Sequence, residues 1–448
     1  MIRFNEEYIA LIHHAIDVQD RNTLMELLQD LHPADIAMLY TSLDINEAEY
    51  IYHLLDPELA ADVLSELDED DRKLLLSHLS KEVIAQHVIQ NMDTDDAVEL
   101  MRDLDEDVQE EILSHIEDFE QAGDIVDLLK YDEDTAGGLM GTEMIVVNEN
   151  LSMPECIKEM RLQAEDIDEI YNVYVVDDEY RLVGIFPLKS MITSPSVSKV
   201  RKVMSKDPIS VKSDTPIEEV ANDFEKYNLI AMPVVDSIGR LVGRITVDDV
   251  MDKVREINEK DYQMASGISQ DVESSDNVLT QTAARLPWLL IGTIGGLCNS
   301  EILGNFETGL ANNPAIALFI PLIGGTGGNV GIQSSALVVQ GLANGTLNMK
   351  NSGMQLLKEG GVCLINASMI SLLVFIYNWI MMGSNVITIS VSLSLFCVVM
   401  FASIFGTIVP LTLEKIKIDP AIATGPFITI TNDIIGMMIY MGITMYLM

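Results

Sequence analysis

Positive charge is what this sequence has least of for its size. Against 70 Asp and Glu stand 27 Lys and Arg, a formal net charge of −43 over 448 residues. Such a surface repels polyanions, which excludes nucleic acid as a partner and disfavours anionic lipid headgroups for the soluble part. Multivalent cations are favoured instead, and plain solvation of helix faces accounts for the same carboxylates. Cysteine is also scarce: Cys298, Cys363 and Cys397 lie in apolar stretches and Cys156 stands alone. That spacing excludes a disulfide framework or a thiolate metal centre and reads as small buried apolar residues. Phosphate-binding loops, nucleophile–base pairings and metal clusters at catalytic spacing are missing, so no enzyme is expected. The 7 histidines all precede residue 116, where surface or core roles suit them. The first ten residues lack a basic start followed by an apolar core, so no cleaved signal is expected and the soluble part should stay in the cytoplasm.

The scarcity is uneven. From residue 286 onward the basic residues are Lys350, Lys358, Lys415 and Lys417, and the acidic ones Glu301, Glu307, Glu359, Glu414, Asp419 and Asp433. Residues 1–285 therefore hold 23 basic and 64 acidic residues, a net −41. A soluble acidic region precedes an apolar one.

Within the acidic region, residues 56–70 match residues 93–107, and 31–44 echo 55–68. Short amphipathic helices opened by Asp or Pro and stacked on their neighbours predict an α-helical superhelix with acidic outer faces over residues 1–135. From Met144 the pattern becomes short β-branched strands alternating with helices. Val175-Val176-Asp177 with Leu182-Val183-Gly184 recurs as Val234-Val235-Asp236 with Leu241-Val242-Gly243. Two α/β units follow, 136–200 and 201–255, which resemble a tandem pair of CBS domains. The second carries Thr246 and Asp249 in the family's ribose-binding Thr-x-x-Asp spacing, and the first has Pro187-Leu-Lys-Ser190 there instead. ATP is accordingly a candidate ligand. Residues 256–284 read as a connecting helix with a break, either a mechanical link or a passive one.

Five apolar stretches, 286–303, 314–339, 362–382, 386–413 and 421–448, can each cross a bilayer, giving an all-α membrane domain over 285–448. The lysines fall in the loops after the second and fourth stretches. By the positive-inside rule the N-terminal region is cytoplasmic and the C-terminus external. The run Gly324-Gly-Thr-Gly-Gly-Asn-Val-Gly-Ile-Gln333, with Gly325 and Asn329 inside it, fits irregular backbone lining a cavity or close packing of small residues. Gly425-Pro426, a turn before Thr429, is expected to break the fifth helix and aim carbonyls into a cavity. Asp433 is the sole ionisable residue of 421–448. A carboxylate there serves a cation pathway or, protonated, bonds between helices.

The order of these parts, with Arg285-Leu-Pro-Trp288, the 324–333 run and Asp419-Pro420, Gly425-Pro426 and Asp433-Ile-Ile-Gly436, resembles the MgtE family of magnesium transporters or channels. The resemblance implies a homodimer in the cell membrane with Gly325, Asn329, Thr429, Asp419 and Asp433 at the pore. It also implies regulatory magnesium bound between the acidic and CBS domains, at Asp249, Asp252, Glu218, Asp93 and Asp96. Glu256 and Glu259 stand in for the acids that Ile257 and Lys260 replace. Rival readings are a proton- or sodium-coupled carrier and a membrane-anchored nucleotide sensor.

Overall fold

The computed structural model describes residues 6–448 apart from 30, 165–166, 168–169, 194, 196–197, 271, 273–275, 344–345, 348–351, 384 and 424. Lys350, one of the orientation markers, lies outside the described residues. The chain divides into two units, Met1–Val254 and Arg255–Met448.

The first unit begins with short helices running from Glu6–Asp17 to Phe119–Leu128. The repeated sequence opens equivalent helices, Pro57–Ser65 and Thr94–Arg102, each preceded by Asp. Asp56 caps its own helix, accepting from Leu59 N at 3.1 Å. Asp93 makes no such bond. Leu24, Ile36, Leu39, Ile51, Leu64 and Leu75 form the fully buried interior.

The α/β part carries β1 (Ile145–Asn148), β2 (Val173–Val176), β3 (Leu182–Phe186), β4 (Ser205–Lys206), β5 (Val211–Lys212), β6 (Ala231–Val235) and β7 (Leu241–Thr246). The sheets run in the orders β1-β2-β3-β4 and β5-β6-β7, with β1–β2 and β5–β6 parallel and the others antiparallel. Both copies of the repeat shift register at the same place, between Val175 and Val176 and between Val234 and Val235. The copies also pair reciprocally, Leu182 N donating to Gly239 O and Leu241 N to Tyr180 O, each at 3.1 Å. The second copy shares one apolar core with the helical region through Val220, Met232, Val234 and Ile245, while the first copy closes a separate core around Val173, Val175 and Phe186. That shared core fixes the helical region against β7.

Among the described residues, the second unit holds five helices long and apolar enough to cross a membrane: Val278–Asn305, Pro314–Ala343, Leu356–Met382, Val386–Lys415 and Pro426–Leu447. The connecting segment is two helices with a break: Val247–Ala265 ends before Gly267, at φ +80°, and Val278–Asn305 then runs on through Pro287.

Three expectations need correction. The glycine-rich run forms no irregular backbone: it lies within a continuous helix, Ile320–Ala343, whose Gly327, Gly328 and Gly331 are buried. Pro426 does not break the fifth helix but opens it at the first position, where a missing N–H costs nothing. Of the cysteines, Cys156 and Cys363 are buried, Cys397 is intermediate and Cys298 is exposed. On a membrane helix an apolar side chain finds an apolar environment on the outer face as well, so apolar sequence does not locate the core.

The small residues pack the second helix against the fourth. A Cβ at Gly406 would collide with the carbonyl oxygen of Gly331 and lie 3.2 Å from its Cα. Gly406→Ala is expected to cost about 1–3 kcal/mol by overpacking, seen as a lower melting temperature in detergent. Gly296→Ala, where a Cβ meets nothing within 4 Å, should be neutral or slightly stabilising.

Candidate cation sites

An antiparallel bridge builds the first site. Gly141 N donates to Arg244 O and Arg244 N to Gly141 O, both at 2.9 Å, which brings Thr142 and Glu143 alongside β7. A Cβ on Gly141 would sit 2.9 Å from both Asp95 Oδ2 and Glu143 Oε2, so only glycine lets the two carboxylates approach there. The start of the Thr94–Arg102 helix, left without a cap by Asp93, is capped from this segment. Thr94 N donates to Glu143 Oε1 at 3.0 Å and Thr94 Oγ1 to Glu143 Oε2 at 3.1 Å. Thr142 N in turn donates to Thr94 Oγ1 at 2.9 Å.

One carboxylate oxygen from each of Asp93, Asp95 and Glu143 lies within 4.8 Å of the others, a grouping that could hold a metal ion. Asp96 and Asp249 complete the negative cluster. Arg244 is the positive member, its Nη2 3.6 Å from Asp93 Oδ2 and its Nε donating to the Glu143 carbonyl. Burial, then Asp249 and the neighbouring acids, pushes Asp95 well above the usual carboxylate range. Asp96 is pushed up to about 7, chiefly by burial and against a hydrogen bond from Ser65. Glu143 is raised by burial and by Asp93. Asp249 is raised by burial, although Thr246 N donates to it at 3.1 Å and the Thr246 hydroxyl also bonds it. Groups of one sign so placed take up either protons or a cation with oxygen preference.

Of the candidate regulatory ligands, Asp93, Asp96 and Asp249 lie in one acidic group, together with Asp95 and Glu143, which the sequence pattern did not single out. Asp95 was legible in the run Asp93-Thr-Asp-Asp96. Glu143 gave no local signal, because its partner Thr94 is 49 residues away. Glu218, Asp252, Glu256 and Glu259 sit on exposed helix faces outside the group of three, and Glu259 accepts from Arg255 at 3.0 Å. Thr246 and Asp249, the candidate ribose ligands, are bonded to each other. A cleft of about 510 Å³ is lined by Thr142, Val146, Gln163, Asp177 and Tyr180 and includes neither.

The second site lies among the membrane helices. Asp433, two turns into Pro426–Leu447, faces two glycines of the second helix: a Cβ at Gly324 would lie 3.5 Å, and one at Gly328 3.7 Å, from Asp433 Oδ1. At these two positions glycine puts no side chain of the second helix against that oxygen. No described basic residue pairs with Asp433. Thr429, one turn earlier, adjoins Gly328 and bonds the Gly425 carbonyl at 3.3 Å. Gly325 and Asn329 are exposed, away from the Asp433 contact, and Asp419 accepts from Ala421 N at 2.7 Å in the approach to the helix. Gly324 and Gly328 are thus the members of the glycine run that adjoin the carboxylate.

A family model described as a divalent cation transporter, MgtE, matches residues 320–443, with the MgtE intracellular N domain over 31–134 and CBS domains over 136–195 and 200–256. The chain is 34% identical to the magnesium transporter MgtE of Enterococcus faecalis, over 98% of this chain and 96% of that one. It is also 34% identical to that of Thermus thermophilus, over 99% of each. Among solved structures it resembles the cytosolic domain of the Mg2+ channel MgtE in complex with ATP, at 31% identity and a TM-score of 0.52, covering 55% of this chain and 99% of that one. The soluble part of a magnesium transporter matches at 32% identity and a TM-score of 0.51, covering 56% and 98%. With full-length relatives above 30% identity and every part matched in order, the chain belongs to the MgtE family.

Proposed function

We propose that this protein is a magnesium channel of the cell membrane, a homodimer whose acidic soluble region, in the cytoplasm, senses magnesium and closes the pore. The observation that carries the conducting role is Asp433, a carboxylate with no basic partner among the described residues, set against two glycines within a membrane helix. Magnesium sheds its waters reluctantly, and a carboxylate presented by each of two subunits suits an ion that keeps most of them. Thr429 and the glycine run line the same approach, with Asp419 at its cytoplasmic mouth. Homology with the named magnesium transporters supports this reading over a coupled carrier or an anchored nucleotide sensor.

The sensor is read as Asp93, Asp95, Asp96, Glu143 and Asp249, an all-oxygen donor set matched to magnesium in chemistry. With a divalent cation held there, Asp95 and Asp249 cease to repel, and the helical region and the second CBS copy stay together. Without it, the same carboxylates loosen that interface. Asp252, Glu218, Glu256 and Glu259 are proposed as further exposed ligands recruited on closing. ATP, present in the solved relative, is proposed to bind the CBS pair near Thr246 and Asp249.

Asp433→Asn should abolish most magnesium flux in reconstituted vesicles while leaving the melting temperature unchanged, since the amide keeps the shape and removes an uncompensated charge. Parental flux would sink the pore assignment.

Asp95→Asn with Asp249→Asn should shift magnesium-dependent closing to higher magnesium, roughly tenfold for about 1.4 kcal/mol of lost coupling. An unshifted closing curve would place the sensor elsewhere.

The raised carboxylates bind more protons folded than unfolded, so stability in chelator should fall as pH rises from about 4 and still be falling at about 7, where Asp96 ionises. Saturating magnesium should flatten that decline, because it replaces the protons. Thermal melting of the full chain across this range, with and without magnesium, reads both slopes.

A further inference from the structure

The membrane part holds a second carboxylate that no sequence motif singled out. Glu359 lies within the Leu356–Met382 span. Its Oε1 accepts from Ser334 Oγ of the second helix at 2.8 Å and from Ser403 Oγ of the fourth at 2.9 Å. The two hydroxyls are 2.9 Å apart. Both serines are buried, at 4% and 2% exposure, whereas Glu359 is half-buried. No described basic side chain pairs with it. If joining three helices were the whole role, glutamine could accept the same two bonds without the cost of a half-buried charge that has no described basic partner.

Its position is ordered relative to Asp433. Along the second helix, the notches at Gly324 and Gly328 meet Asp433, Gly331 meets Asn432, and Ser334 meets Glu359. Asn432 is 1% exposed, and neither of its amide atoms has a hydrogen-bond partner, a costly arrangement unless water or a hydrated ion reaches it. Ser334 lies six residues beyond Gly328, about 9 Å along the helix, toward the end that the lysines assign to the cytoplasm.

We propose that Glu359, oriented by Ser334 and Ser403, is a second acidic station for the divalent cation on the cytoplasmic side of Asp433, with the Asn432 amide lining the step between them. The proposal rests on Asp433 being the pore carboxylate. With both serine hydroxyls on Oε1, Oε2 is the oxygen left to accept from the waters of a hydrated cation. Two weak stations in series let an ion enter and leave, where one strong station would trap it.

The test measures magnesium uptake against concentration in vesicles containing the full-length protein, with melting in detergent alongside. Glu359→Gln keeps an acceptor for both serines and removes the charge, so the half-saturating magnesium should rise about fivefold at unchanged melting temperature. Glu359→Asp, which keeps the charge, should stay near the parent, and this contrast decides the matter even if the Gln variant is less stable. Parental half-saturation in the Gln variant, or an equal shift in both variants, would overturn the proposal and leave Glu359 a packing pin. Parental flux in Asp433→Asn beside a shifted Glu359→Gln would overturn the reading of Asp433 and, with it, the two-station series, leaving Glu359 as a cation site by itself.

Discussion

Like charges held close by apolar packing govern this molecule. Val220, Met232, Val234 and Ile245 share a core with the helical region, and that core presses Asp93, Asp95 and Asp96 toward Glu143 and Asp249. Repulsion opposes the contact, and Arg244 answers only part of it through Asp93. Hydrophobic burial scales with area and is indifferent to magnesium, whereas the repulsion is removed by a bound divalent cation or by protons. Under the proposed reading, an interface balanced between two such forces responds to the ion without any dedicated moving part. The start of the Thr94–Arg102 helix couples to the same group, because Glu143, not Asp93, caps that helix and also joins the charged group.

The membrane helices meet the same constraint in a medium where charge is dearer. Asp433 has glycine opposite it, and the fourth helix reaches the second closely enough that Gly406 abuts the Gly331 backbone. Small residues thus serve two ends: they let helices approach without a hydrophobic driving force, and opposite Asp433 they add no side chain against the carboxylate.

Much of this was legible in the sequence, because it rested on period and repetition. The duplicated strands, the helices opened by Asp56 and Asp93, the five apolar stretches and the isolated Asp433 all follow from local pattern. What was hidden depends on contacts between distant segments. Glu143 and Glu359 carry no motif; each matters because of Thr94, or of Ser334 and Ser403, far away in the chain. The glycine run was ambiguous for a different reason. Irregular backbone and close helix packing call for the same residues, and only the fourth helix lying on Gly331 decides for packing. Pro426 misled because a proline that breaks a helix and one that begins it look alike when the helix start is unknown.

The claim that the carboxylate group is a divalent-cation site bears most directly on the backbone amides it organises. Amide hydrogen exchange of the full-length protein, in magnesium and in chelator, reports them individually. The account predicts that magnesium slows exchange together at Thr94 to Asp96, at Gly141 to Glu143 and at Arg244. Equal exchange at these amides with and without magnesium would contradict it.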